Sequence, residues 1–579
     1  MISRSWVVFA FALVACSPAS GPVATLSPDI GKRLVASNGV VSSAHPLASE
    51  AGLSILEAGG NAIDAAVATA FAIGVVEPEM SGVGGSGAML LWIQKDHRAE
   101  YLDFYASQPV ASFRAAHVVG RDANSPLRVV AVPGNVAGLL LAQEKYGRLT
   151  RQQVMAPAIR IAAQGFPIYP VLAAMIERDT LLPRDPITRA MFEPNGHPLG
   201  LGEHYSNAAL ARVLTTIAAE GRKGFYEGPI AHDVVTRMNA GGHPVTVADF
   251  AKYEPTWRRP LCAEYNGRVL LSAPPPEGGM QVLQTVKLLD PAKAAAFGLP
   301  TLDARAFDLF TSAMRVGQTG NRGNSDPRWQ PVPARGEISD AFVASRESEI
   351  ATGKAAAVVN PKNAASYDAA PSPPQCAPFE PYGEAPRVAS TRSGNDDPAG
   401  GETTHISVVD RDGNAVAVTV TNSDGWGSHA AVDGFLLNDS GAAITQAELD
   451  RPNAPAWITR ITTIAPTLAI KDNAVEVVVG SPGGGRIPFA IAQSLWYVLD
   501  YNLDPLAAVR MPRITPAAAN VNVEVEDGFD PSILAAARQM GYVPMKPGFE
   551  YARIYMIVRR DGRWIGVADP RHDGQVRGY

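Results

Sequence analysis

Gly401-Glu402-Thr403-Thr404-His405-Ile406-Ser407-Val408-Val409-Asp410 is the stretch on which the reading of this chain turns. It places a threonine at the head of an apolar, β-branched run, directly after a segment rich in Pro, Ser, Asn, Gly and Asp. Further on, Gly480-Ser481-Pro482-Gly483-Gly484-Gly485-Arg486 places successive glycine amides ahead of a helical pattern. A hydroxyl nucleophile and a cradle of backbone N–H groups are most of what amide cleavage requires. Neither stretch is specific alone. Thr-Thr at a strand start is ordinarily a surface pair, and Gly-Gly is ordinarily a turn.

Outward from Thr403 the pattern is one of strands. Residues 406–409 and 416–421 flank Asp410-Arg411-Asp412-Gly413-Asn414, a hairpin signal. Residues 468–470 and 475–479 repeat it around Lys471-Asp472-Asn473, as do 555–558 and 564–567 around Asp561-Gly562. Alternation of these hairpins with helical stretches such as 487–499 predicts stacked sheets covered by helices. On the N-terminal side, Leu47, Ala51, Ile55 and Leu56 recur at helical spacing until Gly59-Gly60. Asn61 is suited to cap a second helix reaching residue 76, apolar nearly all round and therefore buried. The glycine-rich segment 79–87 runs into a strand at 88–93, not a helix, so a dinucleotide-binding reading fails on context. Residues 149–289 read as helices with short connections, closing on Pro274-Pro275-Pro276-Glu277-Gly278-Gly279. Residues 317–335 and 361–401 gather loop-forming types, the second as a long exposed loop.

The 579 residues carry a net charge of −6 and no basic stripe, which argues against nucleic acid as a partner. Three cysteines, Cys16, Cys262 and Cys376, exclude a disulfide scaffold and a cysteine-rich metal site. Cys262 and Cys376 either pair in an oxidising compartment or stay as two buried thiols. The ten histidines show no paired His/Glu spacing, so neither a metal nor a cofactor is expected. The N-terminus has one basic residue and an apolar run over 6–15 that is too short to span a bilayer. Its end, Leu13-Val14-Ala15-Cys16, is similar to a bacterial lipobox, in which the cysteine is lipidated. A plain signal peptide cut elsewhere, or a weak anchor helix, is the alternative. The expected order is a leader over 1–15, a tether over 16–34 and an extracytoplasmic, membrane-anchored body.

With these residues in view, the chain resembles the γ-glutamyltransferase family of N-terminal-nucleophile hydrolases. The likeness runs from about residue 35 to Tyr579. It rests on Ala58-Gly59-Gly60-Asn61-Ala62-Ile63-Asp64-Ala65-Ala66, Val132-Pro133-Gly134-Asn135-Val136-Ala137-Gly138, the Thr403 and Gly480 segments, and Ala568-Asp569-Pro570-Arg571. The resemblance implies an αββα sandwich made as a proenzyme that cuts itself between Glu402 and Thr403. The products would be a large subunit, 35–402, whose residues 360–402 form an exposed loop, and a small catalytic subunit, 403–579, which stay associated.

The chemistry fits that implication. A threonine hydroxyl is a poor nucleophile and needs a base. Cleavage before Thr403 frees an α-amine with an unperturbed pKa of about 7.7–8.0, able to take the hydroxyl proton. By resemblance, Thr421 orients that amine, although read alone it is a plain strand threonine. Gly483 and Gly484 would hold the oxyanion, and Thr462 and Thr463 stand where the family generally has two substrate-holding serines.

Departures bear on specificity. Tyr105, in Asp103-Phe104-Tyr105-Ala106, stands where γ-glutamyl enzymes of the family generally carry an arginine for the substrate α-carboxylate. Residues 436–443 offer small apolar residues where an acidic group for the α-amine is expected, with Asp439 close by, and Asn422 and Ser423 lie near the asparagine expected after Thr421. An enclosed carboxylate without its arginine costs roughly 3–5 kcal/mol, several hundredfold or more in binding. Arg114 or Arg128 could supply the missing charge. The leading expectation is amide hydrolysis or transpeptidation of γ-glutamyl compounds such as glutathione. An acylase of the cephalosporin-acylase kind, acting on a non-glutamyl acyl amide, is the alternative; a silent lipoprotein binding module is the non-enzymatic one.

Overall fold

The computed structural model describes residues 29–116, 125–321, 324–327, 331–369, 371–380, 402–444, 446–450, 456–548 and 552–579. The leader, the Cys16 lipobox and residues 381–401 of the pre-threonine loop lie outside them. No described helix is long and apolar enough to cross a membrane.

The hairpin that begins at Thr404 is the centre of one sheet. Thr404–Val409 pairs antiparallel with Ala415–Thr421, setting Thr404 opposite Val420 and His405 opposite Thr419. Every residue of both strands is buried, which accounts for apolar runs instead of strict alternation. Beyond them lie Val40–Ser43 and Gln575–Gly578 on one side, and Ser86–Ile93, Arg98–Phe104 and Thr256–Arg258 on the other, seven strands in all. The other two predicted hairpins, Thr467–Lys471 with Ala474–Gly480 and Tyr555–Arg560 with Arg563–Ala568, sit in a second seven-stranded sheet. It is completed by Arg33–Ala36, Leu261–Tyr265 and Arg268–Ser272.

The two sheets touch face to face through the Thr404, Ala415, Ala474 and Tyr555 strands. Pro46–Glu57 and Ala62–Val76 cover the first sheet, and Gly279–Lys287 and Ile487–Leu499 the second. This is the αββα sandwich. Ala62–Val76 is buried at every residue but Gly74, as its all-round apolar sequence predicts. The Asn61 side chain accepts from the Ile63 and Asp64 amides, and Asp64 reciprocates to the Asn61 N–H.

Strands from before and after residue 402 interleave. In the first sheet the Val40 strand lies between two strands from beyond Thr403, and Ala415–Thr421 abuts Ser86–Ile93. In the second, four central strands from beyond Thr403 are flanked on both sides by strands from before it.

Three details depart from expectation. Residues 261–272, read as part of a helical region, form a hairpin turning at Asn266 and Gly267, both with positive φ. Residues 317–321, read as loop, extend the helix Ala304–Asn321. The described part of the pre-threonine stretch is also not simply exposed. Cys376 is buried in a disulfide with Cys262, which resolves the question of their state, and Phe379 and Glu402 are buried as well.

Candidate active site

Thr403 sits at the open end of the first sheet, one residue ahead of its strand, and is buried. Its Oγ1 donates to Thr421 Oγ1 at 3.2 Å, and Thr421 Oγ1 donates to the Glu402 carbonyl at 2.6 Å. Thr421 Oγ1 also accepts from the Ser423 N–H at 2.8 Å. A hydroxyl has one proton and two acceptor lone pairs, so all three are committed and the direction of each bond is fixed. Ser423 adopts φ 85°, a strained value for a residue with a side chain, and that turn aims its N–H at Thr421. Thr403 Oγ1, Thr421 Oγ1 and the Glu402 carbonyl are thus linked in one bonded series.

Acidic and basic side chains are buried beneath this point. Thr404 Oγ1 donates to Glu77 Oε2 at 2.9 Å. Arg553 donates to Glu402 Oε2 at 3.0 Å, and Arg178 lies 3.9 Å from the other carboxylate oxygen. Burial pushes the Glu77 carboxyl up to about 8, against the pull of the Arg553 charge and the Thr404 hydrogen bond. Glu79 is raised well above the carboxylate range, first by burial and then by Glu77. His405 bonds to Thr419 and Ser407, and burial lowers it to about 3, so the ring is neutral.

The glycine loop follows the strand Ala474–Gly480. Gly483 has φ 124°, and a Cβ there would meet Ala552 Cα at 2.8 Å, so the position requires glycine. Gly484 opens the 3-10 turn Gly484–Arg486 that leads into Ile487–Leu499, where orphan amides and the helix dipole favour negative charge. Thr463 Oγ1 donates to the Gly484 carbonyl at 2.8 Å, while the Thr462 N–H is held by the Pro276 carbonyl at 3.1 Å. The Arg553 N–H donates to Ser481 Oγ at 3.1 Å, tying this loop to the residue that holds Glu402.

Tyr105 is buried, with its hydroxyl 3.3 Å from Ser423 Oγ, which lies 2.6 Å from Ser440 Oγ. Tyr105 also lines a cleft of about 850 Å³ together with Asp103, Arg258, Pro276, Phe379 and Thr459. Asn422 is brought near but turned away, its Nδ2 donating to the Pro78 carbonyl at 3.0 Å. Asp439 accepts from the Asp424 N–H at 3.1 Å. Arg114 is engaged with the Leu449 carbonyl and Arg128 is exposed; neither lines the Tyr105 cleft. Glu77, Glu79, Arg178, Ser440 and Arg553 escaped the sequence reading. Only Glu77-Pro78-Glu79, directly after a helix apolar nearly all round, hinted at acids held inside. No group of three or more His, Cys, Asp or Glu among the described residues is placed to hold a metal.

Comparison with known proteins agrees with this architecture. Residues 48–579 match the family described as Gamma-glutamyltranspeptidase. A glutathione hydrolase proenzyme of Pseudomonas sp. (strain A14) is 32% identical over 580 residues, covering 94% of this chain and 95% of its own length. An Acylase ACY 1 proenzyme of Pseudomonas sp. (strain V22) is 28% identical over 569 residues, 94% of each. The crystal structure of a cephalosporin acylase from Bacillus halodurans matches with a TM-score of 0.81 at 26% identity, covering 98% of this chain and 99% of that one. The chain belongs to the gamma-glutamyltranspeptidase family of autoprocessed N-terminal-nucleophile enzymes.

Proposed function

We propose that the chain cuts itself between Glu402 and Thr403 and then hydrolyses or transfers the acyl group of an amide through Thr403. The observation that carries this is the bonded series Thr403 Oγ1, Thr421 Oγ1, Glu402 carbonyl. As Thr403 Oγ1 attacks the Glu402 carbonyl carbon, its proton passes to Thr421 and the Thr421 proton to the carbonyl oxygen. The C–N bond of this intermediate then breaks as its hydroxyl proton passes to the Thr403 nitrogen, leaving the Glu402 acyl group as an ester on Thr403 Oγ1 beside a free α-amine. Water hydrolyses the ester to the Glu402 carboxylate and restores the Thr403 hydroxyl. In the mature enzyme that amine takes the Oγ proton during attack on substrate and returns it to the leaving amine. The Gly483 and Gly484 N–H groups receive the oxyanion, each worth roughly a hundred- to a thousandfold in rate. Water or an acceptor amine then resolves the acyl-enzyme.

Of the two substrate classes, we favour an acyl amide over a free γ-glutamyl compound. The Tyr105–Ser423–Ser440 series presents neutral hydroxyls where the arginine for a substrate α-carboxylate is expected. Two arginines lining the same cleft, Arg98 and Arg258, are already paired with Glu100 at 3.4 Å and Asp103 at 3.6 Å. Among the relatives, both glutathione hydrolases and acylases bear names that fit one side of this choice. Purified protein offered γ-glutamyl and plain acyl p-nitroanilides side by side tests it; a clear γ-glutamyl preference would overturn the acylase reading. Export and lipidation at Cys16 belong to the same proposal. Palmitate labelling that disappears in Cys16→Ala would support it, and labelling that persists would refute it.

A further inference from the structure

Two orphaned atoms face one another behind the scissile bond. Glu77, the C-cap of the helix Ala62–Val76, is 2% exposed; its Oε2 accepts from Thr404, but its Oε1 has no hydrogen-bond partner. His572 Nε2 has none either, and the two atoms lie 3.4 Å apart. The Ala44 carbonyl, 3.2 Å from His572 Nδ1, can only accept, so Nδ1 carries a proton. In a neutral ring Nε2 is then a bare lone pair, and an ionised Glu77 would set a second one against it. A single proton on Glu77 Oε1, donated to Nε2, satisfies both atoms. The surroundings place that proton on the acid and not on the ring. Burial, then the Arg553 charge, hold His572 well below the ordinary histidine range, and Lys32 and His45 add to this against the Ala44 hydrogen bond. On Glu77, burial outweighs the Arg553 charge and the Thr404 hydrogen bond, and Asp573 and Glu402 also oppose ionisation. Glu79 and Tyr555, both buried, feel the Glu77 charge as well.

We propose that Glu77 is a positioning residue for the break between Glu402 and Thr403, and that it works only as the neutral acid, its proton shared with His572. The inference rests on the cleavage proposed above. As a neutral acid Glu77 anchors Thr404, the neighbour of the nucleophile, and leaves the Arg553 guanidinium to Glu402, whose carbonyl is attacked. When hydroxide takes the proton, a buried carboxylate is left with a lone pair opposite it and a cation close by. Arg553 has an unpartnered Nε with which to meet that charge. A guanidinium drawn to Glu77 is drawn from Glu402, and the scissile residue loses the hold on its side chain. Cleavage is therefore a reaction of the protonated cluster, and rising pH shuts it down. Acyl transfer by the mature enzyme has the opposite dependence, since its α-amine must be unprotonated to take the hydroxyl proton.

The test follows autocleavage of the full chain on denaturing gels, after pulse-labelling in cell-free translation and transfer to buffers of rising pH. The wild-type rate falls about tenfold from about pH 7 to about pH 9, as one proton lost at about 8 requires. Glu77→Ala orphans both Thr404 and His572 and is slowed at least about tenfold throughout. Glu77→Gln keeps a neutral side chain that accepts from Thr404 and donates to His572, so it restores cleavage to within about threefold of wild type at about pH 7 and loses less than about threefold by about pH 9. A level wild-type profile, a fall that persists undiminished in Glu77→Gln, or wild-type cleavage in Glu77→Ala overturns the proposal. So does a folded Glu77→Gln chain that stays uncut, since a neutral group of that shape is all that is required. Should the Glu77 variants fail to fold, nitrogen NMR of the imidazoles in uncut Thr403→Ala protein decides: His572 is neutral with its proton on Nδ1, and an imidazolium or a proton on Nε2 refutes the shared-proton arrangement. A wild-type chain uncut at every pH instead contradicts the underlying function.

Discussion

Thr421 carries three hydrogen bonds at once, and the proposed cleavage depends on it more than its plain appearance in a strand suggests. Thr421→Val keeps the shape but removes the relay. The expected outcome is processing slowed roughly a hundred- to a thousandfold, the loss typical of one oxyanion donor, while Thr421→Ser stays within about tenfold of wild type. A time course on denaturing gels reads both. Glu77 offers a pH signature. Burial raises its carboxyl from the usual 4.5 to about 8, so the folded chain holds that proton more tightly than the unfolded chain. The stabilisation is complete below about 4.5 and is lost as pH rises through about 8. Uncut Thr403→Ala protein should therefore show a urea midpoint that falls across that window, and adding Glu77→Gln should flatten the fall without abolishing it, because Glu79 titrates in the same direction. An unchanged slope would refute the assignment to Glu77. These groups were hidden from the sequence for a physical reason. Glu402 and Arg553 are 151 positions apart, and no periodicity connects a residue before one strand with a residue before another.

At the scale of elements, local signals sufficed where a strand or helix decides its own boundaries. Asn61 marked its helix because capping is chemistry within three residues, and the hairpins around Asp410, Asp472 and Asp561 showed themselves by turn residues. Asn61→Ala should lower the stability of the uncut protein by about 1–2 kcal/mol, measured by urea unfolding. The hairpin at 261–272 was missed although Asn266-Gly267 is the pair that two-residue turns demand, since the surrounding stretch is dominated by helices. The Gly483-Gly484 turn was legible as a pair of amides before a helix, but not its tightness against Ala552. Gly483→Ala combines an unfavourable φ with that contact, so kcat should drop about a hundredfold or more with little change in KM. A variant with wild-type kcat would remove Gly483 from the oxyanion cradle.

The whole molecule is built so that a break at one loop does not divide it. Each sheet contains strands from both sides of residue 402, paired through backbone hydrogen bonds and covered by helices on both outer faces. The two fragments should therefore co-elute on gel filtration and unfold together, separating only in denaturant. The Cys262–Cys376 disulfide lies wholly before Thr403, so the small fragment should migrate identically with and without reductant. The layered class was visible in the alternation of hairpins and helices; the interleaving was not, because strand order depends on contacts that no local pattern records. All of this turns on the fate of one peptide bond, and intact-mass measurement with N-terminal sequencing of the purified protein examines it directly. The account predicts a fragment beginning at Thr403; a single uncut chain that still hydrolyses amides, or a cut elsewhere in active protein, would contradict it.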